Sequence, residues 1–305
     1  MDQIEERLLE EVADLHGVPE GAYNIRANGQ MAGRNTTANI DIATKTDKPG
    51  IDIRIKPGTK HESVHIPVVL SASGLKEVVY NDFYIGDDAD VVIVAGCGIH
   101  NCGVQDSEHD GIHRFFVGRN AKVKYVEKHY GEGEGTGKRI LNPGTEVYME
   151  ENSYMEMEMV QIKGVDSTIR ETDVEMGENA KLYVMEKLMT HDKQVAESNM
   201  EVQMNGAGSS AQIISRSVAK GESRQVFHPK AVGSAKCSAH VQCDSIIMDQ
   251  AEVSSIPEIN AKHLDAAIIH EAAIGRINDE QLVKLRTLGL TEEEAEAVII
   301  DNFLN

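Results

Sequence analysis

A short phrase recurs along this chain at nearly constant spacing, and it constrains the fold more than any other feature. Each copy holds a turn residue, two polar residues, an alanine, a polar residue and an apolar one. The copies are GDDADV from Gly86, GRNAKV from Gly118, GENAKL from Gly177, GSSAQI from Gly208, and DQAEV ending at Val253. Ala89 and Ala121 are 32 residues apart, and Ala180 and Ala211 are 31 apart. Stacked β coils give such spacing, because each turn residue admits a corner and alternate side chains face in and out. No helix-length apolar pattern interrupts residues 80–260, and tryptophan is absent. Both facts suit a solenoid cored by Val, Ile, Met and Leu. A β-sandwich has similar turn signals; the solenoid is the preferred reading.

Helical signals lie at the two ends. Ile4, Leu8, Leu9, Val12 and Leu15 recur at helical spacing, and Gly17 and Pro19 end that run. Asn278-Asp279 caps a helix carrying Leu282, Leu285 and Leu288, which Gly289 stops. Thr291-Glu292-Glu293-Glu294 is a capping box that opens a second helix, with Ala295, Val298, Ile299 and Phe303 on one face. The expected division is 1–80 for the N-terminal helix and opening strands, 81–276 for the β core, and 277–305 for the helical segment. That segment suits either a solenoid cap or a docking surface.

Fifty acidic against thirty basic residues give a formal charge of -20, which argues against nucleic acid or an anionic membrane as partner. The start, MDQIEERLLEEV, lacks the basic and apolar regions of a signal peptide, and no apolar run is long enough to span a membrane. A cytoplasmic address is expected, with the four cysteines as thiols or ligands rather than disulfides.

The chemistry-bearing residues form two groups. Cys97, His100, Cys102, His109 and His113 fall within seventeen residues, after the apolar run 91–95 and among Gly96, Gly98 and Gly103. Thiolates and imidazoles are ligands of zinc, iron and iron–sulfur centres, so a strand delivering these residues onto a loop reads as a metal or redox site. The spacing matches no zinc-finger pattern. The second group is Cys237, His240, Cys243 and Asp244, with His270-Glu271 following 27 residues after Cys243. That is about the length a coil needs to return to the same face.

Three motifs are decoys. GEGEGTGK at 131–138 resembles a phosphate loop, but its two glutamates would repel phosphate. His270-Glu271 has Ile274 where a zincin helix needs its second histidine. No Gly-x-Ser-x-Gly elbow occurs.

The phrases QCDSIIM (242–248), IPEI (256–259), IIHEAAIGRINDEQL (268–282) and LRTLGLTEEEAEAVIIDNFL (285–304), in this order, resemble the SufB/SufD family. The resemblance reaches back through FHPKAVG (227–233), DSEHDGIHRFF and AGCGIHN to residue 95, about two thirds of the chain. It implies a right-handed parallel β-helix with a helical C-terminal segment. It also implies a non-catalytic scaffold for iron–sulfur cluster assembly and transfer to apoproteins. Such proteins pair through their β-helices and bind an ABC-type ATPase, SufC, through the helical segment.

By this resemblance Cys243 is a cluster ligand, His270 and Glu271 complete ligation or bind incoming iron, and the chain is SufB-like. His270 also resembles the SufD histidine that faces the SufB cysteine across the dimer, so a homodimer could supply both. Cys97, His100, Cys102, His109 and His113 would form a second, acquiring iron site or part of the same one. The competing reading is a metal-dependent β-helix enzyme acting on a carbohydrate or other small molecule. Such enzymes line grooves with aromatics, which are only 4% of this chain. A purely structural solenoid is the third reading.

Overall fold

A computed structural model of the protein describes residues 2–13, 15, 17 and 19–304. It opens with α1 (Gln3–Ala13), β1 (Ala22–Ala27), β2 (Gln30–Asn35), β3 (Ile40–Thr44) and β4 (Gly50–Ile55). Then come β5 (Lys60–Leu70), β6 (Lys76–Ile85), β7 (Asp90–His100), β8 (Ser107–Val117) and β9 (Lys122–Glu132). The middle holds β10 (Arg139–Leu141), β11 (Gly144–Met149), β12 (Tyr154–Lys163), β13 (Ser167–Met176), β14 (Lys181–Thr190) and β15 (Val195–Met204). The last strands are β16 (Ser210–Ala219), β17 (Arg224–Gly233), β18 (Cys237–Ile247), β19 (Glu252–Ser255), β20 (Glu258–Ala261) and β21 (Ala266–Gly275). Two helices, α2 (Asp279–Thr287) and α3 (Glu292–Leu304), close the chain.

The strands alternate between two sheets, so the chain winds as a β-solenoid of about eight turns. One sheet runs β2-β1-β5-β7-β9-β12-β14-β16-β18-β21, and the other runs β19-β17-β15-β13-β10-β8-β6-β4-β3, with β11 and β20 filling in. Pairing is parallel except where β2 folds back on β1 and β3 on β4. The parallel ladder reaches back to β4 and β5, so residue 81 marks no break in it.

One corner explains the recurring phrase. Gly58, Asp88, Asn120, Asn152, Asn179 and Gly208 stand there with φ between 53° and 76°. Only Gly, Asn and Asp adopt this left-handed conformation at low cost. Each donates its N–H to a carbonyl one coil further on, as in Asp88 to Arg119 at 2.8 Å and Asn152 to Glu178 at 2.8 Å. Asn120→Val should therefore cost about 1–2 kcal/mol of stability, and Asn120→Gly should be nearly neutral. Denaturant titration of the two variants checks this; equal losses would show that the corner does not need the left-handed residue.

The expected register holds for Ala89 over Ala121, since Asp90 pairs with Lys122. It fails for Ala211. Lys181 pairs with Ser210, so Ala180 stacks on Ser209 and that coil is 29 residues long. The 249–253 phrase lies in the other row of corners, since Glu252 pairs with Arg224 of the second sheet.

Inward-facing residues stack as ladders along the axis. Val64, Ile93, Tyr125, Met157, Val184, Ile213 and Val241 form one in the first sheet. Phe83 stacks on Phe115 in the second, with centroids 4.5 Å apart. Gly96 and Gly98 lie within β7 rather than on a loop, because α1 packs on them. A Cβ on Gly96 would sit 2.3 Å from the Val12 carbonyl oxygen, and one on Gly98 3.2 Å from Leu8.

At the far end, the Asn278 side chain accepts from the Glu280 N–H, and Thr291 and Glu294 form the expected capping box. Helix α3 turns Ala295, Ile300 and Leu304 inward, whereas Val298 is exposed. Its buried face is thus rotated from the one expected, because Ile300 and Leu304 pack with Val218 of β16. Among the described residues no helix is long and apolar enough to cross a membrane.

Candidate functional site

Half of the lumen is polar. Sequence parity alone shows where: in β9, Tyr125, Glu127 and His129 occupy inward positions that the other coils fill mostly with apolar residues. Tyr125 accepts or donates at both ends of its hydroxyl, 2.8 Å from His113 Nδ1 and 2.9 Å from Glu127. Arg170 of β13 makes a short ion pair with Glu127, contacts His129 and lies 3.6 Å from Glu186 of β14. Glu186 accepts from Ser198 at 2.7 Å and from Ser215 at 3.1 Å. Ser215 is the ladder neighbour of Cys243. A filament of polar side chains therefore runs through the lumen from β8 to β18.

Both ends of that filament carry residues singled out in the sequence. At one end Cys97, His109 and His113 face inward. His109 donates from Nδ1 to Glu77 at 3.0 Å. Burial disfavours its charged form, but the neighbouring Cys97 and Glu77 outweigh this and raise its pKa to about 10. Burial instead lowers His113 and His129 to about 4, so both are neutral. Gly111 leaves a space between its two neighbours: a Cβ there would lie 3.3 Å from His113 Nε2 and 3.4 Å from His109 Nε2.

His100 and Cys102 belong elsewhere. Alternation along β7 turns His100 away from Cys97, and Cys102 lies beyond the strand end, exposed. The five residues expected as one centre thus form two groups. Among the described residues no three His, Cys, Asp or Glu side chains are placed to hold a metal ion, so neither group is a preformed metal centre.

At the other end Cys243 and His270 meet. Val241 pairs with His270 and Cys243 with Ala272, so His270 occupies the terminal rung of the ladder that ends in Val241. Its Nε2 lies 3.1 Å from Cys243 Sγ. The pair sits on the last rung of the solenoid, against the outermost strand β21. Burial pushes the Cys243 thiol up to about 11 and lowers the His270 pKa, so the thiol is protonated and donates to a neutral imidazole.

Glu271 is not part of this pair. Strand alternation points it outward, where it lies 3.4 Å from His240. Cys237 shares the inward face of β18 with Cys243, six residues and three inward positions away.

The glycine-rich decoy has a structural reason. Gly133, Gly135 and Gly137 lie on the backbone of residues 101–105, and a Cβ on each would come within 2.4 Å of it. The N–H groups of Gly135 and Gly137 donate to the Asn101 and Gly103 carbonyls at 3.0 Å, so they are not free for phosphate.

A groove of about 740 Å³ runs along the outer face of the second sheet, lined by Tyr84, Phe116 and Tyr148. Their rings stack on one another with centroids 5.1 and 5.3 Å apart. Ring faces are thereby used up internally, and a sugar would meet only edges. The carbohydrate-enzyme reading loses its main support.

Comparison with known proteins agrees with the site. The family model described as SUF system FeS cluster assembly, SufBD core domain, matches residues 78–303. An iron–sulfur cluster assembly SufBD family protein of Pyrococcus horikoshii is 27% identical over 97% of this chain and 84% of its own length. A second, from Methanocaldococcus jannaschii, is 26% identical over 83% of this chain and 79% of its own length. A third, from Methanothermobacter thermautotrophicus, is 25% identical over 84% of this chain, which spans only 62% of that protein. The chain belongs to the SufBD family of iron–sulfur cluster assembly proteins.

Proposed function

We propose that this protein is a non-catalytic scaffold on which an iron–sulfur cluster is built and from which it passes to apoproteins. The observation that supports this most is the 3.1 Å Cys243–His270 pair on the terminal rung. Iron needs thiolate or imidazole ligands, and a transferable cluster needs incomplete or labile ligation at an accessible edge. Cys243 supplies the thiolate and His270 the weaker ligand. Glu271, facing the other way, is left out of the ligand set.

One chain offers two ligands there, so a second copy completes the site. The unpaired edge of β21 supports such pairing. So do the exposed side chains of Ile256, Ile259, Leu264, Ile269 and Ile274 at the same end. ATP would act through an ABC-type, SufC-like subunit on the helical segment. In favour of that, Val283 and Leu288 of α2 and Val298 of α3 face outward. A groove of about 690 Å³ also separates these helices from β16 and β18. The reducing cytoplasm is the compartment that suits four free thiols.

Anaerobic reconstitution with iron and sulfide tests the reading. The expected product is a dimer holding iron and acid-labile sulfide. Because Cys243 must lose a proton to bind iron, loading should rise about tenfold per pH unit below the thiol's pKa. A monomer that retains a full cluster, or a dimer with neither iron nor sulfide, would contradict the proposal. Deleting residues 279–305 should abolish co-purification with the ATPase, and capture by the truncated chain would place the docking surface elsewhere.

A further inference from the structure

The displaced pair from the first sequence group forms a constellation of its own. Cys102 Sγ lies 3.0 Å from His100 Nε2, and His100 Nδ1 lies 2.9 Å from Glu132 Oε1. The carboxylate holds the imidazole proton on Nδ1 and leaves Nε2 facing the thiol. A nucleophile, a base in contact with it and a carboxylate that orients the base are the parts of an activated cysteine. The surroundings favour the thiolate–imidazolium form. Arg7 of α1 pairs with Glu132, Tyr130 donates to Glu132 at 3.2 Å, and the Lys163 ammonium lies 3.1 Å from the Tyr130 hydroxyl. Of the four thiols, Cys102 alone is exposed; Cys97, Cys237 and Cys243 are buried.

The electrophile follows from what surrounds the thiol. Cys102 lines neither of the large grooves described above, and Gly135 packs directly on the Cys102–Gly103 backbone. A small-molecule acyl pocket is not built here. An exposed thiolate on a corner of the solenoid suits exchange with a sulfur–sulfur bond presented from outside, which requires only in-line access to one sulfur.

We propose that Cys102, activated by His100 and oriented through Glu132, takes the sulfane sulfur of a persulfide donor. This rests on the cluster-scaffold reading, which requires a source of sulfide. His100 Nε2 accepts the Cys102 proton. The thiolate attacks the terminal sulfur of R–S–SH, the new bond forms between Cys102 Sγ and that sulfur, and R–S⁻ leaves. The products are a Cys102 persulfide and a donor thiol; the exchange is redox-neutral overall. His100 and Glu132 act as base and positioning residue.

Two measurements on the full-length protein test the proposal. The first is the rate of Cys102 alkylation by iodoacetamide from pH 6 to 9, read by peptide mass spectrometry. Cys102 should titrate below the value of about 8.5 for a free thiol and react at least tenfold faster at acidic pH than in His100→Gln. Glu132→Gln should fall between the two. A wild-type profile like that of a free thiol, unmoved by His100→Gln, would overturn the activation.

The second is incubation with glutathione persulfide, which should add one sulfur atom to the Cys102 peptide, with far less added in His100→Gln. A glutathione adduct in place of a single added sulfur would overturn sulfane transfer. No sulfuration of Cys102, in a chain that still assembles a cluster from iron and inorganic sulfide, overturns this proposal and leaves the scaffold reading standing. Sulfuration of Cys102 in a chain that retains no cluster supports the thiol chemistry and overturns the scaffold reading.

Discussion

Cys243→Ser should leave the protein folded and dimeric but without iron or acid-labile sulfide after anaerobic reconstitution. Serine fills nearly the same volume beside Ser215 and Ser255, so the lumen keeps its packing, while the thiolate that iron requires is gone. His270→Ala should weaken retention less, because it removes the more labile ligand. A mixed dimer of the two variants carries one copy of each ligand and should bind an intermediate amount. Iron and sulfide equal to wild type in Cys243→Ser would remove this residue from the mechanism.

Arg170→Met should be the most destabilising single change in the lumen, by about 3–5 kcal/mol, because it strands Glu127 and Glu186 without their buried cation. Burial alone would raise the Glu127 pKa, but Arg170 and the nearby histidines hold it well below the usual carboxylate range. A depressed folded-state pKa means that this stability is present above the unfolded value near 4.5 and is lost as pH falls below it. Denaturant midpoints at pH 7 and at pH 3 should therefore differ more for wild type than for Glu127→Gln. A loss of less than about 1 kcal/mol in Arg170→Met at pH 7 would show that water or a neighbour replaces the guanidinium.

Much of this architecture is legible in the sequence because corners are local. A left-handed Asn or Asp followed by a small inward residue needs no distant partner to be recognised. Hence the phrases at Gly86 and Gly118 placed two coils correctly. Where the corner residue is glycine the reading slipped, because Gly206 and Gly208 both satisfy the pattern and only pairing with Lys181 decides between them. Parity also carries information that was not taken from it. The alternation that puts Cys243 and His270 inside puts Glu271 outside, and it likewise parts Cys97 from His100.

The lumen filament was missed for a different reason. Arg170 meets Glu127 from 43 residues away in the other sheet, and no local pattern reports which coils lie opposite. A signal did exist. Tyr125, Glu127 and His129 put polar groups on the inward face of β9, which a purely structural solenoid would not favour.

The central claim is that Cys243 and His270 ligate the cluster together at the terminal rung. Pulsed electron paramagnetic resonance of the reduced cluster, in the anaerobically reconstituted full-length protein, tests it most directly. The account predicts a nitrogen coupling from a directly bound imidazole, lost in His270→Ala while part of the iron and sulfide remains. A cluster without such a coupling, or a coupling that survives His270→Ala unchanged, would contradict it.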